Sequence, residues 1–215
     1  MTPLRITAHL RGAITLPPEG GLALDGLCAS IVAQQIGLIA EITETVRVDV
    51  PIALSDCGRY HLASFAIAGD VEMVERRWVN RRPIAAEAQA LGESRIKRLN
   101  ITAGVNKGYR IPQAAAFVEH DTLTWFAIAE EEELRRLLGC VTHLGKKRSV
   151  GRGAVREWTI EPCEPWDGFP IVRDGKPLRV LPADHPGLVD PLLRHVTLTY
   201  PYWEYRRAEL CAVPG

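Results

Sequence analysis

The stretch LLGCVTHLGKKRSVGRGAVREW, Leu137 to Trp158, governs how the rest of the chain is read. It holds four glycines (Gly139, Gly145, Gly151, Gly153) and five cations (Lys146, Lys147, Arg148, Arg152, Arg156), with no acid between Leu137 and Arg156. Before it, Glu130 to Leu138 predicts a short helix: four glutamates complement the dipole at its start, and Arg135 and Arg136 lie toward its end. That explains the glutamates without a metal. After it, the alternating run AVREWTI, Ala154 to Ile160, predicts a strand. A glycine-rich loop so placed can bring backbone N–H groups to a phosphate while the cations supply charge. The spacing fits neither a nucleoside-triphosphate loop nor a dinucleotide fingerprint, so the ligand predicted is a polynucleotide backbone. The competing reading is a basic surface turn.

Working outward, Pro3 to Leu10 (PLRITAHL) alternates as a first strand, and Asp25 is placed to cap a helix from Gly26 to Ile39. Val46 to Leu54 shows short extended signals broken by Pro51. Tyr60 to Ile67 (YHLASFAI) reads as a second strand and Asp121 to Ala129 (DTLTWFAIA) as a third. The order strand, helix, strand, insertion, strand, helix, loop, strand predicts an α+β fold, the βαββαβ of a ferredoxin-like domain. Its core would comprise residues 1–69 and 120–160, interrupted by a basic insertion at 70–119. A proline-rich C-terminal extension, 161–215, would pack on that core. Within it, Asp174-Gly175 predicts a hairpin turn, Leu192 to Thr199 another strand, and Trp203 to Arg207 an anchor for the tail.

The chain of 215 residues has a formal net charge of zero, which conceals two basic segments. From Arg76 to Arg110 there are nine Lys or Arg against Glu87 and Glu93, and the glycine-rich stretch adds five more cations. Such segments in an otherwise acidic chain are a polyanion footprint. Within the insertion, Arg76, Arg77, Trp78, Arg81 and Arg82 are followed by Arg95, Lys97, Arg98, Lys107, Tyr109 and Arg110. Trp78 and Tyr109 among cations suit stacking on unpaired bases, although packing against the domain is the alternative for both rings. Five scattered cysteines without a C-x-x-C pattern predict a reduced cytoplasmic protein with buried thiols and no zinc. No apolar run suits a signal peptide or a membrane span. No metal-ligand spacing, nucleophile motif or cofactor fingerprint is found.

Three features together resemble the RAMP proteins of CRISPR systems: the ferredoxin-like core, the insertion after its second strand and the glycine loop before its last. Within them the chain is most similar to the Cas5-type subunit of type IV effector complexes. The residues carrying the likeness are LRITAHLRGAI and LALDGLCA near the N-terminus, RRWVNRRP and NKGYRIP in the insertion, and LGKKRSVGRGAVREW, covering most of the chain to about residue 160. The resemblance implies a non-catalytic assembly subunit that holds the 5′ handle of the guide RNA and caps a filament of Cas7-type backbone subunits. It also implies contact with the large subunit, and with target DNA through the complex. Lys146, Lys147, Arg148 and Arg152 would lie near handle phosphates, and Arg95, Lys97, Arg98, Lys107 and Arg110 in a thumb. The extension matches no defined RAMP feature.

Two rivals stand beside that expectation. A metal-independent endoribonuclease needs a base and an acid, and His143, beside the basic loop, is the histidine placed to serve or to contact RNA. The other is a general RNA-binding domain, but Phe65, Trp125 and Phe126 do not cluster as the aromatics of an RNA-recognition sheet do.

Overall fold

The structure is a computed structural model describing residues 1–15, 21–37, 48–80, 110–118, 121–146, 148–202 and 204–215. Its main sheet takes four strands in the order β2-β5-β1-β6, all pairings antiparallel. These are β1 (Thr2–Leu10), β2 (Ile67–Ala68), β5 (Thr122–Ala129) and β6 (Val155–Pro162). Helix α1 (Leu24–Gln35) follows β1, and α2 (Glu131–Leu138) joins β5 to β6. The fold is thus α+β, and the strand order is consistent with a ferredoxin-like arrangement.

Alternation builds the core. Leu4, Ile6, Ala8 and Leu10 of β1 and Leu123, Trp125, Ala127 and Ala129 of β5 are buried on one face. Leu24, Cys28 and Ile31 of α1 and Leu134, Leu137 and Leu138 of α2 close over them. Each buried leucine or isoleucine contributes about 1.5–3 kcal/mol. The Trp125 indole N–H donates to the Leu22 carbonyl at 2.8 Å, so the ring enters the core with its polar atom satisfied.

The second strand departs from expectation. Tyr60 to Ile67 runs along β5 only raggedly: Ala63 bridges Ala127, regular pairing begins at Ile67, and the Phe126 N–H donates to the Ser64 hydroxyl at 2.9 Å. A side chain accepting the N–H that a ladder would use breaks the strand. The insertion departs too. Its ends form an antiparallel pair of their own, β3 (Val71–Asn80) with β4 (Arg110–Val118), where no strand is expected from the sequence.

The extension crosses the sheet. Trp166 and Phe169 meet Phe126 edge-on, with ring centroids 4.8 and 6.1 Å away, on the face opposite the helices. The Leu178 carbonyl accepts the Phe65 N–H at 2.7 Å, covering the ragged edge strand. Asp174 and Gly175, with φ of 52° and 75°, form the predicted tight turn between β7 (Val172–Arg173) and β8 (Lys176–Pro177). Strands β9 (Leu181–Pro182), β10 (Leu192–Thr197) and β11 (Ala208–Val213) make a small sheet in the order β10-β11-β9. Tyr60, Phe65, Ile171, Val180, Leu181 and Leu198 form a second apolar cluster beneath it.

Asp25 does not cap α1. Ala23 holds that position, and Asp25 is buried within the first turn. Its carboxylate accepts the Tyr202 hydroxyl at 2.8 Å and faces the Arg179 guanidinium at 3.3 Å. Arg179, fully buried, also donates to the carbonyls of His61, Val180 and Leu198. Burial opposes a charge on Asp25, but Arg179 and the hydrogen bonds outweigh it and hold the pKa below the usual 3.8. The tail is anchored here by Tyr202, and by Tyr200, whose hydroxyl donates to the Val48 carbonyl. Trp203, expected to share in that anchor, lies outside the described residues.

Candidate nucleic-acid interface

The basic glycine stretch is a hairpin clipped to the chain that leaves β1. Its limbs close through Leu144 N–H to Gly153 O at 2.8 Å and Val155 N–H to Thr142 O at 2.8 Å. Residues 11–15 lie against both limbs, with Arg11 N–H to Ala154 O at 2.7 Å, Gly153 N–H to Ala13 O at 3.0 Å and Lys146 N–H to Thr15 O at 2.9 Å. A short 3₁₀ turn, Arg148–Val150, forms the tip, and Gly151 N–H returns to Arg148 O at 3.0 Å.

The glycines therefore serve packing first. A Cβ on Gly145 would stand 2.5 Å from Thr15 O, and one on Gly153 would stand 2.0 Å from Leu144 O; both residues hold positive φ. Gly151 also holds a positive φ of 80°, in open space. The expectation that these glycines free backbone N–H groups for a phosphate is revised, because those of Lys146, Gly151 and Gly153 are spent within the chain. Charge on the hairpin is carried by side chains.

Those side chains are available. Lys146, Arg148 and Arg156 are exposed, and none enters a salt bridge among the described residues; Arg152 is half-buried with a partner. By contrast, Arg5 pairs with Glu161 at 2.6 Å, Arg59 with Glu209 at 2.6 Å, Arg135 with Glu131 at 2.8 Å and Arg136 with Glu133 at 2.6 Å. His143 bridges Ala154 through its backbone, and its Nδ1 lies 3.0 Å from the Thr142 hydroxyl.

Of the other residues predicted from sequence, Arg76, Arg77 and Trp78 fall on β3, opposite Ala114, Gln113 and Pro112, and Arg110 begins β4 opposite Asn80. Arg81, Arg82, Arg95, Lys97, Arg98, Lys107, Tyr109 and Lys147 lie outside the described residues. Sequence reasoning passed over Arg11, which is exposed and joined to the hairpin through its backbone. Its signal was an arginine just beyond an apolar strand, which means nothing until the partner strand is known.

A protein-family model described as CRISPR type IV associated protein Csf3 matches residues 61–214, well over half of the chain. The chain belongs to the Csf3 family. No match was found among curated proteins. The Csf3 match takes in β3 to β6, the basic hairpin and nearly all of the extension. It corrects the expectation that family likeness stops near residue 160: the Pro-rich segment is part of what defines a Csf3 chain. Conversely, β1 and α1, which complete the sheet and cover it, precede the matched residues.

In this Csf3 chain Phe65, Trp125 and Phe126 are engaged in packing. Trp125 is buried in the core, Phe65 meets Tyr202 edge-on, and Phe126 is covered by Trp166 and Phe169. His61, within the predicted second strand, is buried and stacked on Tyr200 with centroids 5.5 Å apart. His9 Nε2 lies 3.0 Å from the Thr159 hydroxyl, and His120 lies outside the described residues. Among the described residues no three His, Cys, Asp or Glu side chains gather as metal ligands do, and no helix is long and apolar enough to cross a membrane.

Proposed function

We propose that this Csf3-family chain is the non-catalytic subunit of a type IV CRISPR ribonucleoprotein that holds the 5′ handle of the guide RNA. On this reading its core is a ferredoxin-like RAMP domain. The β3–β4 arm, continuing into the basic insertion, is the thumb that reaches toward a Cas7-type backbone subunit, which the chain caps. The observation that carries the reading is the clipped hairpin: exposed Lys146, Arg148 and Arg156, which enter no salt bridge among the described residues, stand on a rigid support while Arg5, Arg135 and Arg136 are neutralised by carboxylates. A fixed set of cations without counter-charge suits a phosphate backbone, and binding of that kind is salt-dependent. Stacking on the sheet, the mode of a general RNA-recognition domain, is disfavoured because Phe126 is covered by the chain itself.

The test is salt-dependent binding of a labelled guide-repeat RNA, with a 2′-deoxy strand beside it and EDTA present. Lys146→Glu with Arg148→Glu should keep the thermal melt of the parent and flatten the salt dependence by roughly 0.7 per lost contact. Unchanged affinity at moderate salt would overturn the hairpin assignment. A single cut in the RNA, absent from the deoxy strand and lost in His143→Ala, would replace this reading with the endoribonuclease.

A further inference from the structure

We infer that Arg11, at the end of β1, is a phosphate-contacting residue of the same RNA site, so that the site is assembled from two distant stretches of chain. The inference rests on the guide-holding reading and extends it to a residue before the family-matched segment.

Three observations converge on Arg11. The first is the ladder between β1 and β6, which pairs His9 with Glu157 but Leu10 with Val155, leaving Arg156 as an unpaired, bulged residue. Bulges bend a strand and re-aim the side chains beside them. Arg11 and Arg156 therefore stand at one irregular point where the sheet gives way to the basic hairpin. The second is the backbone clip. Arg11 N–H donates to Ala154 O at 2.7 Å, one residue from Gly153, whose missing Cβ lets the hairpin limbs close. The root of the Arg11 side chain is thus fixed to the hairpin that bears Lys146 and Arg148.

The third is the charge balance. Arg5, earlier on the same strand, is tied to Glu161 at 2.6 Å, whereas Arg11 is exposed and enters no salt bridge among the described residues. The carboxylates nearest in register are Glu157, opposite His9, and Asp121, which precedes Thr122 opposite His9; neither pairs with Arg11. Other cations that enter no salt bridge among the described residues, such as Lys176, Arg194 and Arg206, belong to the extension. At this end of the sheet Arg11, Lys146, Arg148 and Arg156 form one group, drawn from both sides of the β1–β6 pair, that no carboxylate compensates among the described residues. An arginine fork matches phosphate oxygens in two-point geometry, which a polynucleotide backbone offers repeatedly.

The experiment measures binding of the full chain to guide-repeat RNA across a salt series for Arg11→Ala, Arg11→Lys and the Lys146→Glu, Arg148→Glu double variant. Arg11 is exposed and its structural bond is made by the backbone, so Arg11→Ala should melt with the parent. It should bind about tenfold more weakly, the effect of one charge-assisted hydrogen bond, and lose roughly 0.7 from the salt slope. Arg11→Lys should keep the slope and recover only part of the affinity, because the charge remains and the fork does not. If Arg11→Ala binds and titrates like the parent while the double variant is weakened, Arg11 is not part of the site and the hairpin reading stands. If the parent itself shows no salt-sensitive binding, both readings fall.

Discussion

Substituting alanine for Gly153 should unclip the basic hairpin, whereas the same change at Gly151, two residues away, should be mild. Both glycines hold positive φ, +66° and +80°, and an alanine in that region costs about 1–2 kcal/mol at either site. The difference is steric. At Gly151 a Cβ meets nothing within 4 Å, but at Gly153 it would sit 2.0 Å from the Leu144 carbonyl oxygen. That oxygen is backbone, so one limb must move, endangering Leu144 N–H to Gly153 O at 2.8 Å and Gly153 N–H to Ala13 O at 3.0 Å. At about 0.5–1.5 kcal/mol per bond, Gly153→Ala should cost about 2–5 kcal/mol in all. Domains of this size hold only about 5–15 kcal/mol, so that loss is plain in a urea titration followed by circular dichroism. Equal midpoints for the two variants would refute the argument that these limbs approach only because one residue lacks a side chain. A Gly151→Ala protein of normal stability that no longer binds RNA would instead return the glycines to a direct role at the phosphate.

Asp25→Ala should destabilise by about 3–5 kcal/mol, because Arg179 would remain buried without its counter-charge, and replacing both by apolar residues should cost less. Since Asp25 titrates below 3.8 when folded, its contribution is whole above that pH and is lost as pH falls through the folded value. Acid titration of stability should accordingly be steeper for the parent than for Asp25→Asn, and identical profiles would remove Asp25 from the account. Thiol labelling should strike Cys57 first: the Ser55 hydroxyl 3.3 Å away lowers its pKa, and it is exposed. Burial pushes Cys28 up to about 12 and Cys211 to about 11, so both should react only after denaturation. Native-state labelling of Cys211 would mean that the small C-terminal sheet opens.

Much of the fold was legible because its strands are half-buried. β1 and β5 alternate strictly, and the turn at Asp174-Gly175 announces itself in two residues. What escaped the sequence depends on distant partners. Asp25 has the chemistry of a helix cap, and only Arg179 and Tyr202, more than 150 positions later, give it another task. Ser64 resembles any strand serine until its hydroxyl takes the Phe126 N–H. In β3 and β4 the cations obscured a pairing that backbone hydrogen bonds establish. At the candidate site, Lys146, Arg148 and Arg156 were conspicuous by composition, but the work of Gly145 and Gly153 is invisible without the carbonyls of Thr15 and Leu144. The Cys57 and Cys140 thiols, expected to be buried, are exposed.

The placement of β1 has a consequence for biosynthesis. Its two neighbours are β5, which begins at Thr122, and β6, which ends at Pro162, and the helix that follows it waits for Arg179 and Tyr202. β1 is thus synthesised long before either strand it pairs with, and is late to find its place. Until then its four apolar side chains have no sheet to join, and such exposed surface is what chaperones recognise. Contacts this distant in sequence make for slow folding. A chain halted at the end of β6 would have a complete main sheet yet still lack the positive charge that neutralises Asp25 and the carbonyl that satisfies Phe65. The segment from α1 to Phe65 is therefore committed to its structure only after Leu178, Arg179 and Tyr202 have been made.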